Sequence, residues 1–355
     1  MTILIIIIVL ALVFDLINGF HDAANSITNI VSTKVLTPFQ AVVWAAFFNV
    51  VAFLIFDLNI ANTIAKIVNN DVINFTVIAA ALVSAIIWNL VTWWSGIPSS
   101  SSHTLIGGLA GAAIACAGWG VVNQEKIFKT FAFIFLAPVI GLIIAAVINL
   151  IIINISKKAH PAKATRWFKR LQLVSAGLFS IGHGGNDAQK VMGVIAAALM
   201  VFMAQLKAKG LEIPGWANIV QKMDPLTHKM SIDGSLFPVW IPIACYTAIG
   251  CGTMMGGWKI VKTMGTKITK ITPIEGVSAD TAGAITLFLT ERLGIPVSTT
   301  HTITGSIIGV GVAKRVSAVK WGITYSLLWA WILTIPISAL IGALLFWLFD
   351  FIGLK

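Results

Sequence analysis

Between Phe131 and Ile153 the chain carries no charged side chain. A stretch of that length, wound as an α-helix, spans the roughly 30 Å hydrocarbon core of a bilayer. Comparable apolar segments fall near 3–31, 39–56, 72–94, 104–122, 130–154, 172–204, 237–258, 276–290, 303–313 and 321–349. Transmembrane strands would be about ten residues long with alternating polarity, so helices are the reading. Composition agrees: 58% of residues are apolar and 10% charged, against about 25% charged in a soluble domain. A soluble enzyme, a secreted disulfide scaffold and a disordered chain are excluded. The expectation is an all-α polytopic membrane protein of about 10–12 helical segments set in a lipid bilayer. Several segments are too short to cross alone and are expected as broken helices or re-entrant hairpins.

Lys and Arg number 24 against 13 Asp and Glu, a net charge of +11. In a soluble protein that balance suggests nucleic acid. In a membrane protein it reflects the collection of Lys and Arg in cytoplasmic loops, and no nucleic-acid partner is expected. The basic stretch 156–170, with Lys157, Lys158, Lys163, Arg166, Lys169 and Arg170, is read as a cytoplasmic linker. Lys259, Lys262, Lys267 and Lys270 should lie on the same side. The segment near 207–235, which holds Pro214, Gly215, Pro225 and Gly234, is then an outside loop. The run Ile3–Phe14 lacks a basic leader and a small-residue cleavage site, so it does not read as a removable signal. Cys116, Cys245 and Cys251 lie in apolar segments and read as packing residues.

The chain repeats itself. "GIPSSSSHT" at 96–104 returns as "GIPVSTTHT" at 294–302, a shift of 198, and the same shift carries Gly107 onto Gly305, Gly111 onto Gly309 and Pro138 onto Pro336. A second pair, "GFHDAANS" at 19–26 and "GGNDAQKV" at 184–191, is related by a shift of 165. Residues 1–155 and 171–355 are therefore read as two copies of one unit. The first copy ends at the inside linker, so the second starts from there and faces the opposite way. Inverted repeats of this kind place a transport site at the repeat interface near the bilayer midplane.

Asp22 and Asp187 stand inside apolar segments, where an ionisable side chain costs about 2.5–3.5 kcal/mol or more and marks a functional site by default. Asn18, Gly19 and Asn25 surround the first; Gly184, Gly185 and Asn186 surround the second. Glycines allow the backbone to break, and freed carbonyls with a carboxylate suit a small cation. His21 and Lys190 are polar members of the same signatures, and Lys190 occupies the position of Asn25. An ammonium there can fill the place of a bound cation. The coupling-ion candidates are Asp22, Asn25, His21, Asp187, Asn186 and Lys190.

The hydroxyl motifs have a different chemistry. Pro98 and Pro296 suit the first turn of a helix. A helix N-terminus attracts anions through its unpaired N–H groups, and hydroxyls add donors. Ser99, Ser100, Ser101, Ser102 and Thr104, with Ser298, Thr299, Thr300 and Thr302, are the candidate anion-binding residues. Two such ends could converge on one tetrahedral oxyanion. His103 and His301 read as buried structural histidines, with a ligand or proton-carrying role as the alternative.

"NGFHDAANS", "GHGGNDAQK", "GIPSSSSHT" and "GIPVSTTHT" resemble the duplicated signatures of the inorganic phosphate transporter (Pit) family, in the same order and over nearly the whole chain. The resemblance implies a homodimer of inverted repeats in the plasma membrane that imports inorganic phosphate with a cation. It implies no catalytic residue, no bound metal and no resident cofactor. Phe20, His21 and Lys190 depart from the family's GANDxxN pattern and resemble the bacterial low-affinity, proton-linked branch. That branch is implied to couple to protons in place of sodium and to carry phosphate as a neutral complex with a divalent metal. Sulfate is the alternative substrate, since helix ends with hydroxyls suit either tetrahedral dianion; phosphate alone can give a proton to a carboxylate near neutral pH. A channel is a further alternative. An intramembrane hydrolase is the alternative from another class, but the duplicated Ser/Thr–His string and the lack of a G-x-S-x-G elbow speak against it.

Overall fold

The computed structural model describes residues 1–68, 72–223 and 230–354. Twelve α-helices occupy the described residues: α1 Thr2–Ser32, α2 Pro38–Val51, α3 Asn59–Ile64, α4 Phe75–Ser95, α5 Ser101–Ala117, α6 Gln124–Ser156, α7 Pro161–Ala208, α8 Trp240–Met255, α9 Trp258–Lys267, α10 Pro273–Arg292, α11 Thr299–Lys314 and α12 Trp321–Phe351. The chain is an all-α polytopic membrane protein. Among these helices α1, α4, α6, α7 and α12 are long and apolar enough to cross a bilayer. Two short antiparallel strands, β1 Gln221–Met223 and β2 Met230–Ile232, lie in the long connection between α7 and α8. Pro225 falls outside the described residues.

Local chemistry sets the helix ends. Pro38 and Pro273 open α2 and α10 behind capping boxes, Thr37 with Gln40 and Thr272 with Glu275, each box satisfying two orphan donors. α4 ends at Gly96, φ +66°, and after α10 the chain turns through Gly294, φ +63°. Glycine takes this left-handed conformation without a Cβ penalty. Pro98 and Pro296 follow, outside any helix, because α5 and α11 start only after their caps, Ser100 and Ser298. The expectation that these prolines open the helices is corrected: a serine oxygen fills that role first. Each GIP motif therefore stops one helix and starts the next.

Two further expectations change. The backbone does not break at either aspartate: α1 runs unbroken from Thr2 to Ser32 and α7 from Pro161 to Ala208. The glycines beside them serve close packing instead. A side chain at Gly19 would strike Ile249 and Gly252 of α8, and one at Gly184 would strike Asn49 of α2. Nor is 156–170 a linker. α7 begins at Pro161, so the connection shrinks to a short turn and Lys163, Arg166, Lys169 and Arg170 lie on the helix. Lys259, Lys262 and Lys267 likewise belong to α9.

The two halves interlock. Under the shift of 198, α2, α4, α5 and α6 overlap α8, α10, α11 and α12. α5 packs on α12 and α11 packs on α6, so each short helix lies against the last helix of the other half. Small faces allow this: Gly107 and Gly111 meet Ile335, Ser338 and Ala339, while Gly305 and Gly309 meet Pro138 and Leu142. Helices in lipid associate through such close backbone approach. α6 and α12 turn large apolar side chains outward, including Ile143, Leu150, Leu340 and Trp347. Inside, two apolar clusters meet along α1, one ending at Phe14 and the other beginning at Ala24. Between them on that helix stand Asp15, Asn18, His21 and Asp22.

Candidate functional site

α1 and α7 bring their aspartates together with the starts of α5 and α11. An oxygen of Asp22, one of Asp187 and a ring nitrogen of His183 all lie within 4.8 Å of one another, and all three residues are buried. Two carboxylates and an imidazole at that separation form a donor set for a small cation.

Each aspartate accepts a hydrogen bond from the hydroxyl motif of its own half. Ser101 Oγ donates to Asp22 Oδ2 at 2.9 Å. Thr299 Oγ1, the residue matching Ser101, reaches Asp187 Oδ2 at 3.4 Å. The residue one turn beyond each aspartate crosses to the other half. Asn25 Nδ2 donates to Thr300 Oγ1 at 2.9 Å and Thr299 Oγ1 at 3.2 Å. Lys190 Nζ donates to Ser102 Oγ and, at 2.9 Å, to the Val297 carbonyl. The same Nζ stands 2.6 Å from Asp187 Oδ1, and Lys190 is only 2% exposed. Its ammonium is held inside the site and does not reach an interface.

The histidines exchange positions between the halves. His21 places Nδ1 2.6 Å from Asp22 Oδ1 and Nε2 3.1 Å from Thr92 Oγ1, with Ser99 Oγ also at hand. In the second half the matching residue is Asn186, whose Nδ2 donates to the carbonyls of Gly182 and Leu287. There a histidine sits one turn earlier: His183 Nε2 is 3.1 Å from Asp187 Oδ2, and its Nδ1 is 3.2 Å from Asn49 Oδ1. Asn18 occupies that earlier position in the first half. The order is Asn–His–Asp on α1 and His–Asn–Asp on α7. His183 escaped the sequence reading, although its i, i+4 spacing from Asp187 places both on one helical face. Thr92 and Asn49 escaped it too, because they lie on other helices and carry no motif.

The nine hydroxyl candidates divide. Ser101, Ser102, Thr299 and Thr300 meet the aspartates or the residues that cross, and Ser99 meets His21. Ser100 and Ser298 accept from the backbone N–H of His103 and His301, so they are helix caps. Thr104 and Thr302 donate to the carbonyls of Ser101 and Ser298 inside their own helices. His103 and His301 lie against each other, ring centroids 4.9 Å apart, and His301 stacks on Trp331.

Comparison with known proteins follows the same lines. Residues 18–342 match the phosphate transporter family. The chain is 48% identical over 349 residues to a probable low-affinity inorganic phosphate transporter of Rhizobium meliloti, covering 98% of this chain and 96% of that one. It is 42% identical over 355 residues to a protein of the same description from Bacillus subtilis, covering 98% and 97%. Among solved structures it resembles one described as a sodium-dependent phosphate transporter, with a TM-score of 0.81, 24% identity, and coverage of 99% of this chain and 100% of that chain.

Proposed function

The chain belongs to the phosphate transporter family, and we propose that it imports inorganic phosphate by symport with protons, binding the anion between the starts of α5 and α11. It is an integral membrane phosphate transporter and not an enzyme. The observation that carries the finer reading is Lys190. Its ammonium lies 2.6 Å from Asp187, where Asn25 in the other half offers only an amide. An ammonium fills the place of one coordinated cation and has no acceptor with which to ligate another. Sodium is thereby displaced from the second centre, and protons remain as the coupling ion.

Electrostatics requires a co-transported cation. A phosphate dianion entering an inside-negative cell costs about 4.6 kcal/mol per 100 mV, two charges at about 2.3 kcal/mol each. Two protons cancel that cost and a third makes the field a net drive. Carriage of a neutral divalent metal–phosphate complex removes the same cost, and Asp22, Asp187 and His183 supply ligands suited to such a metal as cargo. The hydroxyls of Ser101, Ser102, Thr299 and Thr300, with the N–H groups opening α5 and α11, are the anion's donors. The two halves face opposite ways, with the basic α6–α7 turn in the cytoplasm. The protein sits in the plasma membrane as a homodimer.

Sodium coupling is the competing reading, favoured by the sodium dependence that the structural neighbour's description states for that protein. Labelled-phosphate uptake into proteoliposomes, with pH and sodium gradients imposed separately, decides between them. Accumulation should follow an inward proton gradient and ignore sodium. Accumulation driven by sodium alone would reverse the assignment, and a preference for sulfate would remove the substrate.

A further inference from the structure

Two short helices reach across to the GIP motif of the other half. α3, in the first half, donates from Thr63 Oγ1 to the Gly294 carbonyl at 2.7 Å. α9, in the second half, donates from Thr263 Oγ1 to the Gly96 carbonyl at 3.0 Å. The two glycines are 198 positions apart and the two threonines 200. Each threonine also reaches the carbonyl four residues back in its own helix, Asn59 at 3.4 Å for Thr63 and Lys259 at 3.3 Å for Thr263. Gly294 lies against Asn59 and Thr63, and Gly96 lies against Lys259. Among the described residues neither glycine carbonyl accepts from a backbone N–H, so the threonine hydroxyl is what holds each turn.

Each helix also grips the aspartate helix of the half it reaches. α3 packs on α7, and α9 packs on α1. Gln189, the neighbour of Lys190, accepts from Ile60 N at 2.9 Å and donates through Nε2 to Glu291 Oε1 at 3.2 Å. Asn59 Nδ2 reaches the same Glu291 oxygen at 3.4 Å. On α1, a side chain at Gly257, just ahead of α9, would strike the carbonyls of Phe20 and His21. Lys259 Nζ donates to the Trp94 carbonyl at 3.0 Å and stands 4.3 Å from the centre of the Trp94 ring, within cation–π range. α3 thereby clasps the aspartate helix and the hydroxyl turn of the second half, and α9 clasps those of the first.

The two clasps lie toward opposite ends of α7. Asn62 Oδ1 of α3 accepts at 2.6 Å from Ile232 N, in the connection that follows α7. α9 leads into α10, whose Gly276 packs on Gln172 near the start of α7. On its own side α3 bounds a cavity of about 840 Å³ lined by Leu58, Asn59, Asn62, Gln189, Arg292 and Gly294. Gln189 faces that cavity, while the next residue, Lys190, holds Asp187 and Ser102 inside the site. α3 therefore stands between the cavity and the centre. It has six residues and α9 has ten. Helices this short owe their position to tertiary contacts and not to their own hydrogen bonds.

We propose that α3 and α9 are the two gates of the anion path and that Thr63 and Thr263 are the positioning residues that latch them shut. The proposal rests on the reading that phosphate binds between the starts of α5 and α11. Ser101, Ser102, Thr299 and Thr300 follow the latched turns by a few residues, so a latched turn keeps its hydroxyls on the centre. Release of Thr63 frees α3 from Gly294 and opens the site to the cavity. Release of Thr263 frees α9 from Gly96 and opens the opposite side. Each latch is one neutral hydroxyl–carbonyl bond, weak enough to break in every cycle and strong enough to bias which side is open. Both gates close one site, so weakening either shifts the carrier toward the state open on that side and away from the other.

Counterflow exchange of labelled phosphate in right-side-out and in inverted vesicles of the same cells presents the two faces of the carrier in turn. Thr63→Val and Thr263→Val remove the hydroxyl and keep the branched shape. The ratio of the KM for external phosphate in the two vesicle types should change about three- to tenfold in each variant, and in opposite directions. The double Val variant should bring the ratio back toward wild type, because the two biases oppose each other. Thr63→Ser and Thr263→Ser keep the donor and should keep the wild-type ratio. A ratio that stays fixed in both Val variants, or moves the same way in both, overturns the proposal. Ser variants that behave like the Val variants also overturn it. So does a loss of exchange in a single variant that the double variant does not restore, since the fault is then packing. Wild-type vesicles that exchange no phosphate show instead that the transport reading has failed, and the gates fall with it.

Discussion

The two aspartate centres share a skeleton and differ in charge. Asp22 and Asp187 each accept from the matching hydroxyl, Ser101 or Thr299, and each has one histidine and one asparagine nearby. The repeated motifs supply that skeleton. Yet Asp187 is already neutralised by Lys190, while the equivalent Asn25 leaves Asp22 without a fixed cation. The difference teaches that pseudo-symmetric positions need not do equal work. The second centre holds an ammonium beside its carboxylate, and the first does not.

The largest expected effect separates the two carboxylates by stability. Asp187→Asn leaves the Lys190 ammonium buried and unpaired, which should cost about 3–5 kcal/mol. Thermal unfolding in detergent should fall sharply, and Lys190→Asn added to it should restore most of the loss. Asp22→Asn should leave the unfolding temperature near wild type while abolishing concentrative uptake. Equal destabilisation by the two single variants would mean that the centres are electrostatically alike.

Making the second centre resemble the first is the next test. Lys190→Asn should lose most proton-driven uptake, on the order of tenfold or more, and gain stimulation by external sodium. Uptake that keeps its pH dependence and ignores sodium in this variant would leave Lys190 without a part in coupling.

Smaller effects sort the hydroxyls. Ser101→Ala and Thr299→Ala should each weaken phosphate binding by about 1–2 kcal/mol, the usual size for a hydrogen bond to a charged group. Titration of the purified protein with phosphate measures this, and an unchanged Kd in both variants would place the anion elsewhere. Smallest of all, Ser100→Ala and Ser298→Ala remove helix caps. About 1 kcal/mol of stability should go with each, and phosphate affinity should hold once the fold is intact. A large loss of affinity with unchanged stability would return those two serines to the anion.

Much of this site was legible as a pair of repeated motifs, because a charge in an apolar run and a recurring GIP string stand out in any register. The rest was hidden for identifiable reasons. The glycines beside the aspartates suggested broken backbone, but in lipid a broken turn leaves carbonyls and amides unsatisfied. Gly19 and Gly184 instead admit α8 and α2 to close range. Ser100 and Ser298 could not be told from their neighbours, since capping depends on where the helix starts, and the prolines pointed a few residues too early.

The sequence by itself determined the helical membrane class, the repeated motifs and the identity of the facing carboxylates. Each of these follows from local constraints: segment length against bilayer thickness, a fixed shift between motifs, and the cost of ionisable groups in hydrocarbon. Only the tertiary structure decided that Asn25 and Lys190 cross to the other half's hydroxyls. It also decided that His183 joins the two aspartates. Those relations join residues far apart in the chain, 88 positions for Lys190 with Ser102 and 275 for Asn25 with Thr300. No periodicity reports them, because they arise only when α5 seats against α12 and α11 against α6 and the two helix starts are carried onto α1 and α7.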